Sequence, residues 1–310
     1  MKVSIVLSTY NGEQYIMEQL ESIRNQTRLP DEVLIYDDCS TDHTVEQIER
    51  FIHKNSLDTW KITINSKNKG WKKNFIEGIW NTSGDLVFPC DQDDIWMPHK
   101  IETMERIMEE NPEIMVLTSG YEAFGNSGKS LDGPVKPDGK LVKQPFTEKI
   151  FNTKYPGCTY CIRKNFVEIS REHWQEDFPH DALFWRLGML SDTLYTYHAS
   201  LIRWRKHQDS TYTKESNRNR TFAKKKEFLN YAMRVLTDLG DFLNEYDCLW
   251  KEEKLEILKR SGKWIEIRRK FYSSKKPWYG IWLLKYIRCY DRVRQYLGDW
   301  YLIYGKKNEN

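Results

Sequence analysis

The stretch Gly84-Asp85-Leu86-Val87-Phe88-Pro89-Cys90-Asp91-Gln92-Asp93-Asp94-Ile95-Trp96 decides how the rest of the chain is read. Leu86 to Pro89 is a short apolar run between a Gly-Asp turn and an acidic turn, the pattern of a buried strand that stops at its carboxyl edge. Side chains alternate along an extended chain, so Asp91 and Asp93 are expected on one face, with Gln92 and Asp94 directed elsewhere. Paired carboxylates at a strand tip suit a hard divalent cation such as Mg2+ or Mn2+, held together with substrate phosphates. An acidic turn that caps a helix starting near Pro98 accounts for the same residues without any ligand, and a lone D-x-D does not separate the two readings. The segments upstream do.

Lys2 to Ser8 is a β-branched apolar run, and Thr9-Tyr10-Asn11-Gly12 is a turn opening a helix with Tyr15, Ile16, Leu20 and Ile23 on one side. After Pro30 the unit repeats: Glu32 to Tyr36 reads as a strand ending on Asp37-Asp38, and Ser40 or Thr41 can cap a helix carrying Val45, Ile48 and Ile52. Further strands are expected at Trp60–Ile64, Leu86–Pro89 and Ile114–Thr118, with helices at Trp71–Trp80 and Pro98–Glu110. Alternating strands and helices predict a Rossmann-like, mainly parallel sheet with helices on both faces, which binds ligands at the carboxyl ends of its strands. Gly125 to Gly139 reads as an exposed loop, Tyr160–Arg163 as a strand, Asp181–Leu190 as a short helix and Leu194–Arg205 as one or two strands. Gln208–Arg220 has a linker's polarity, and Phe222–Tyr246, Lys251–Phe271 and Trp278–Tyr304 read as helices. The expected domains are thus 1–210, the α/β sheet domain, and 211–310, a C-terminal helical extension.

Composition narrows the partners. The 310 residues carry 30% charged side chains but a net charge of only +3, so no global basic field points to nucleic acid. Lys and Arg crowd the part after residue 203, which makes that part the candidate for an anionic partner. The six cysteines are scattered and the first residues are too polar for a signal peptide, which predicts a reduced, cytoplasmic protein. Cys158 and Cys161 form a C-x-x-C without the second pair of a zinc site and read as thiols packed in a strand. His180, His198 and His207 have no metal-triad spacing, and no stretch has the roughly 18 apolar residues of a spanning helix.

The three polar tips converge in such a sheet. Tyr10 offers an aromatic face to a flat base, Asp38 an acceptor for a pyrimidine imide N–H, Asp91 an acceptor for ribose hydroxyls and Asp93 a ligand for a metal on a diphosphate. Singly, Tyr10 is explained as an edge aromatic and Asp37-Asp38 as helix-capping groups; jointly these explanations weaken. Neither G-x-G-x-x-G nor a Walker G-x-x-x-x-G-K is present.

The segments SIVLSTYNGEQYI, EVLIYDDCSTDHT, NKGWKKNF, GDLVFPCDQDDIWMPHK, GCTYCIRK, PHDALFW and RWRKH, in this order and spacing, resemble family 2 glycosyltransferases of the GT-A fold, most of all a bacterial rhamnosyltransferase-like branch of cell-surface polysaccharide synthesis. The likeness covers residues 1 to about 210. It implies an inverting enzyme that moves rhamnose or another hexose from a dTDP- or UDP-linked donor to a glycan or lipid-linked acceptor with Mg2+ or Mn2+. It also assigns Ser8, Tyr10 and Asp38 to the nucleoside, Asp91 and Asp93 to the D-x-D, Asp181 to the catalytic base, and Arg205 and His207 to a basic pair at the diphosphate or metal. Asn68, with Gly70, is expected to shape the nucleotide pocket. Trp96 and Lys100 can line the sugar pocket, although helix-entry packing and a solvated lysine explain them as readily.

The helical tail lies outside that likeness. Its aromatic and basic mixture predicts packing against the catalytic domain or a homodimer, and alternatively a peripheral contact with the inner face of a membrane. Two rivals remain: a metal-dependent nucleotidyltransferase or nucleotide-sugar hydrolase, and a non-catalytic nucleotide-sugar-binding or scaffold subunit. Consumption of donor without acceptor marks the hydrolase; a binder has no need of the base at Asp181.

Overall fold

The computed structural model describes residues 1–125, 130–131, 133–134, 136–206 and 221–305. The linker expected at 208–220, part of the 125–139 loop, and His207 therefore lie outside the described residues. The strand and helix alternation runs β1 (Val3–Thr9), α1 (Ile16–Arg24), β2 (Glu32–Asp37), α2 (Thr44–Lys54), β3 (Trp60–Ile64), α3 (Trp71–Trp80), β4 (Leu86–Asp91), β5 (Ile95–Trp96), α4 (Lys100–Glu110) and β6 (Val116–Gly125). Val3, Ile5 and Leu7 of β1 share one buried cluster with Ile16, Leu20 and Ile23 of α1, Ile48 and Phe51 of α2, and Ile101, Met104 and Met108 of α4. Ser8, the next residue along the strand, turns to the other face, where Asn74 of α3 meets it. Helices on both faces explain why these strands are continuously apolar and not alternating.

The chain continues through β7 (Ser130–Leu131), β8 (Leu141–Lys143), a 3-10 turn at Gly157–Thr159, β9 (Tyr160–Arg163), α5 (Lys164–Ser170), a further 3-10 turn at Arg171–His173, α6 (His180–Leu190) and β10 (Leu194–Lys206). The strand order is β3-β2-β1-β4-β9-β6-β10-β5, with β7 on β6 and β8 on β10. β1 pairs in parallel with both β2 and β4, β2 with β3, and β10 with β6, whereas β9 lies antiparallel between β4 and β6. Sequence order reverses at β1, whose neighbours are β2 on one side and β4 on the other, so a crevice opens beyond the carboxyl ends of these strands.

Several local expectations shift. The N-cap of α2 is His43, because Ser40 is drawn instead onto Asp37, to which it donates through N at 2.8 Å and Oγ at 2.5 Å. The strand expected at Ile114–Thr118 runs on to Gly125, supported along its length by β10. β10 is a single strand whose register with β6 slips between Tyr197 and Ser200 and again between Ser200 and Arg203.

Two compact units emerge, the first comprising residues 1–144, 154–188 and 193–206, and the second the remainder. Two short excursions, 145–153 and 189–192, group with the helices in the second unit. Contacts that no nearest-neighbour pattern encodes hold them there: Phe151 packs its ring on Phe228 and Trp264, and Lys254 Nζ donates to the Leu190 carbonyl at 2.7 Å and pairs with Asp192.

The second unit is built from α7 (Phe222–Glu245), α8 (Lys251–Ser274), α9 (Pro277–Trp282), a 3-10 stretch Leu283–Cys289, α10 (Val293–Trp300) and a π turn Tyr301–Gly305. The expected helix at Trp278–Tyr304 is therefore broken. The break lets Tyr290 turn inward, where its hydroxyl donates to Asp299 Oδ2 at 2.7 Å. Asp299 is fully buried and also receives both arms of the Arg268 guanidinium, each at 2.8 Å, and the Tyr272 hydroxyl at 2.7 Å. Such a pair stays buried only because every oxygen is partnered; losing one member costs about 3–5 kcal/mol. The knot therefore pins α10 to α8. Among the described residues no helix is long and apolar enough to cross a membrane.

Candidate active site

The parallel registers bring the sequence-predicted residues together. Ser8 lies opposite Asp91 across the β1–β4 pair and opposite Tyr36 across β1–β2, while Thr9 lies opposite Asp37. Tyr10, 47% exposed, stands over this tip. The Gln92 amide brackets its backbone, accepting from Tyr10 N at 2.8 Å and donating to Tyr10 O at 3.1 Å. Gln92 thus couples the loop after β1 to the acidic loop after β4.

The second tip is a network of buried polar side chains. Asn74 Nδ2 donates to Ser8 Oγ and to the Tyr36 carbonyl, both at 2.8 Å, and its Oδ1 accepts from Asn65 at 2.7 Å. Asn65 in turn donates to Asp38 Oδ1 at 3.0 Å. Asp38 also accepts from Lys69 N at 2.7 Å and Gly70 N at 2.8 Å. Sequence reading gave Asp38 to the base edge; here it is buried, both oxygens accept from within the protein, and it orders the loop that Asn68 shapes through a 3.0 Å bond from Gly70 N. Gly70 needs its lack of a side chain, with φ at +85° at the entrance to α3.

At the third tip the alternation of an ideal strand ends with β4 at Asp91, and the chain turns at Gln92-Asp93. The cluster that forms is therefore Asp91, Asp94 and Cys158, whose oxygen and sulfur atoms all lie within 4.8 Å of one another. Asp94 is fully buried; Oδ1 accepts from Arg205 N at 2.9 Å and Oδ2 has no hydrogen-bond partner. Burial, with the Asp93 charge beside it, pushes the Asp91 carboxyl up to about 7, and the same causes raise Asp94 well above its usual range. Carboxylates crowded in this way, one with an orphaned oxygen, fit a divalent cation. The expectation that Asp94 is directed away from Asp91 is overturned: the turn at Gln92-Asp93 ends the alternation, and it is Asp94, with Cys158, that meets Asp91, while Asp93 acts on Asp91 through its charge.

Arg205 is built into this loop. Its Nε donates to the Asp93 carbonyl at 2.8 Å, its Nη2 pairs with Glu18 at 2.6 Å, and the guanidinium lies over the Tyr15 and Phe124 rings. Lys100 is fully buried, contrary to the solvated lysine considered above. Its Nζ donates to the Cys158 carbonyl at 2.6 Å and sits 3.7 Å from the Trp96 ring centroid, and burial lowers it to about 8. Trp96 is packed in the core, 2% exposed. Neither residue is a surface that a sugar could touch; both lie beneath the acidic loop.

Asp181 sits in the first turn of α6, half-buried, with Oδ1 accepting from Ala182 N at 2.7 Å. The Tyr160 hydroxyl of β9, the strand beside β4, donates to the Asp181 carbonyl at 3.2 Å, which sets the expected base on the side of the acidic tip, and the Asp181 charge adds to the rise of Asp91. The preceding His180 is 3% exposed, its ring tilted against Phe75 with centroids 4.3 Å apart, and neither ring nitrogen has a hydrogen-bond partner. A Cβ on Gly157 would lie 2.2 Å from its Nε2, so glycine is required there. Burial lowers the His180 pKa to about 3. A depressed histidine favours folding above its unfolded pKa, and that contribution is lost as pH falls through the interval down to the folded value. His180→Phe should therefore flatten the acid side of the stability curve by up to about 1.4 kcal/mol per pH unit below pH ~6.5, read by denaturant melts from pH ~7 to ~4.

The profile of glycosyl transferase family 2 matches residues 4–174, more than half of the chain. The chain belongs to this family. Among its relatives, an uncharacterized glycosyltransferase of Haemophilus influenzae is 29% identical over 256 residues, 76% of either chain. The poly(ribitol-phosphate) beta-N-acetylglucosaminyltransferase TarS of Staphylococcus aureus (strain MW2) is 26% identical over 68% of this chain and 38% of its own length. The crystal structure of TarS residues 1–349 in complex with UDP-GlcNAc superposes with a TM-score of 0.62 at 19% identity, covering 93% of this chain and 81% of that one, and shares the GT-A fold. The strand-tip crevice described above is thus the crevice of a family 2 glycosyltransferase.

Proposed function

We propose that this glycosyltransferase transfers a hexose, rhamnose among the candidates, from a UDP- or dTDP-linked donor to a hydroxyl of a glycan or lipid-linked acceptor in cell-surface polysaccharide synthesis, with inversion. The observation that carries this reading is the convergence of Tyr10, Asp91, Asp94 and Asp181 at the sheet's switch point. The complex of TarS with UDP-GlcNAc supports a pyrimidine nucleotide sugar as the donor class. The donor base stacks on exposed Tyr10, with Asp38 and Asn68 shaping the loop behind it and Ser8 and Asp91 at the ribose.

Asp181 takes the proton of the acceptor hydroxyl as its oxygen attacks the anomeric carbon. The bond from that carbon to the diphosphate oxygen breaks, the diphosphate leaves with the electron pair, and one displacement inverts the centre. Mg2+ or Mn2+, held by Asp93 and the neighbouring Asp91 and Asp94 with His207 as a further ligand, would supply charge stabilisation to the leaving diphosphate. Arg205 holds the acidic loop in place for this. The protein acts on the cytoplasmic side, where a lipid-linked acceptor is met at the membrane surface.

Calorimetry with UDP, dTDP and ADP, with and without Mn2+, tests the donor assignment. Tighter binding of the pyrimidine nucleotides with metal is expected, and Tyr10→Ala should weaken it by about 10-fold, the scale of one aromatic stacking contact. Equal affinity for ADP and UDP or dTDP, unaffected by Mn2+, is the result that overturns it. Donor breakdown at the same rate with and without acceptor would make the protein a hydrolase.

A further inference from the structure

The helical unit presents a surface that sugar transfer leaves unexplained. Trp278, Ile281 and Trp282 form one stripe along α9, and Val293, Leu297 and Tyr301 a second along α10 and the turn after it; each is between 45% and 62% exposed. Spacings of three and four residues put each set on one side of its helix. The charge of this segment is one-sided. Between residues 275 and 305, Lys275, Lys276, Lys285, Arg288, Arg292 and Arg294 are all exposed. The acidic residues of that interval are Asp291 and Asp299; Asp299 is buried in the arginine and tyrosine knot, and Asp291 is half-buried and accepts from Gln295 at 3.3 Å. The two helices are held together, the Tyr296 hydroxyl donating to the Gly280 carbonyl at 3.2 Å, and a groove of about 370 Å³ beside the first stripe is lined by Ile267, Ile281, Trp282, Lys285 and Tyr286.

We infer that this face adsorbs to an anionic lipid bilayer, the indole and aliphatic stripes entering the headgroup boundary and the cations meeting lipid phosphates. Exposed tryptophans among lysines and arginines suit an interface that is apolar below and negatively charged above. A second copy fits poorly, because a two-fold interface sets the same patch against itself and would press the cations beside the tryptophans, Lys276 over Trp278 and Lys285 in the groove, against their own copies. A soluble polyanion would satisfy the cations and leave the tryptophans and isoleucine in water. The buried Arg268–Asp299 pair keeps both stripes in place, so adsorption needs no refolding of this unit.

The inference deepens the proposed function by giving a lipid-linked acceptor a place to be met, and it rests on that reading for its purpose alone. Co-sedimentation of the full chain with phosphatidylcholine vesicles, with and without phosphatidylglycerol, tests it directly. Binding to the anionic vesicles is expected, with marked loss from about 0.05 to about 0.5 M salt as charges are screened. Replacing Lys275, Lys276, Lys285 and Arg288 together by Glu should weaken it by about 10²-fold or more. Trp278→Ser with Trp282→Ser should weaken it about 10-fold or more at either salt concentration, with the melting temperature unchanged. No adsorption at low salt, or adsorption indifferent to both sets of substitutions, overturns the inference, as does self-association that Trp282→Ser abolishes and vesicles do not compete with. Asp181→Asn protein should adsorb like the unaltered chain. A protein that adsorbs but transfers no sugar defeats the proposed function alone, and one that transfers sugar to a soluble acceptor but ignores vesicles defeats this inference alone.

Discussion

Asp181→Asn is expected to slow sugar transfer by about 10²- to 10⁴-fold, the usual worth of a positioned general base. The substitution is nearly isosteric and keeps an oxygen able to accept from Ala182 N, so the first turn of α6 stays as it is. Donor affinity should hold, because the carboxylate is assigned to the acceptor side of the anomeric carbon. Residual transfer should lose the acidic limb of its pH profile, which reports the titration of the missing base. If Asp181 served only to begin α6, the same variant would melt lower, by the ~1 kcal/mol typical of a cap, and would lose binding and turnover in proportion. Rate, donor affinity and melting temperature measured on one preparation separate these outcomes. Unchanged turnover in a well-folded variant removes the mechanism.

What the sequence disclosed follows from the range of its signals. The strands at Trp60–Ile64 and Tyr160–Arg163 and the helix at Trp71–Trp80 lie where pattern alone places them, since length, β-branching and helical spacing are local properties. The convergence of the three tips was also legible, for once strands alternate with helices the topology fixes where carboxyl ends meet. Pairings distant in sequence were not. Cys158 meets Asp94 across 64 positions because β9 slots in beside β4, and an antiparallel wedge has no local signature. Lys100 carries the spacing of any surface lysine; burial under Trp96 and the Cys158 carbonyl is a tertiary outcome that overrides its type. Gln92 was set aside by the alternation rule, yet the turn after Asp91 swings it onto Tyr10. The tail's amphipathic composition was visible, whereas the break near Tyr290 depends on a hydroxyl reaching Asp299 nine residues on.

The turn at Gln92-Asp93 also sharpens what substitution of the acidic loop should do. Asp94 is buried and accepts from Arg205 N, so its removal would strand a backbone donor and loosen the loop, confounding stability with chemistry. Asp93 is half-buried and its contact with Arg205 runs through its own carbonyl, which any side chain retains. Because that carbonyl bond to Arg205 survives the change at a half-buried turn residue, Asp93→Ala should cost no more than about 1 kcal/mol of ligand-free stability. It should also relieve Asp91, whose carboxyl is raised by burial and then by the Asp93 charge: the Asp91 pKa should fall from about 7, followed by carboxyl titration in NMR. Turnover should drop by at least about 10²-fold, the several kcal/mol expected when a ligand of a metal-assisted leaving group is lost. Mn2+ binding, read by electron paramagnetic resonance with UDP present, should weaken in step, and this readout does not pass through catalysis. A purely capping role for Asp93 predicts the reverse at the site: a similar loss of about 1 kcal/mol in stability, but activity and Mn2+ affinity retained. Observing that reverse pattern would move the metal away from Asp93 to the Asp91, Asp94 and Cys158 set, whose atoms already lie within 4.8 Å of one another.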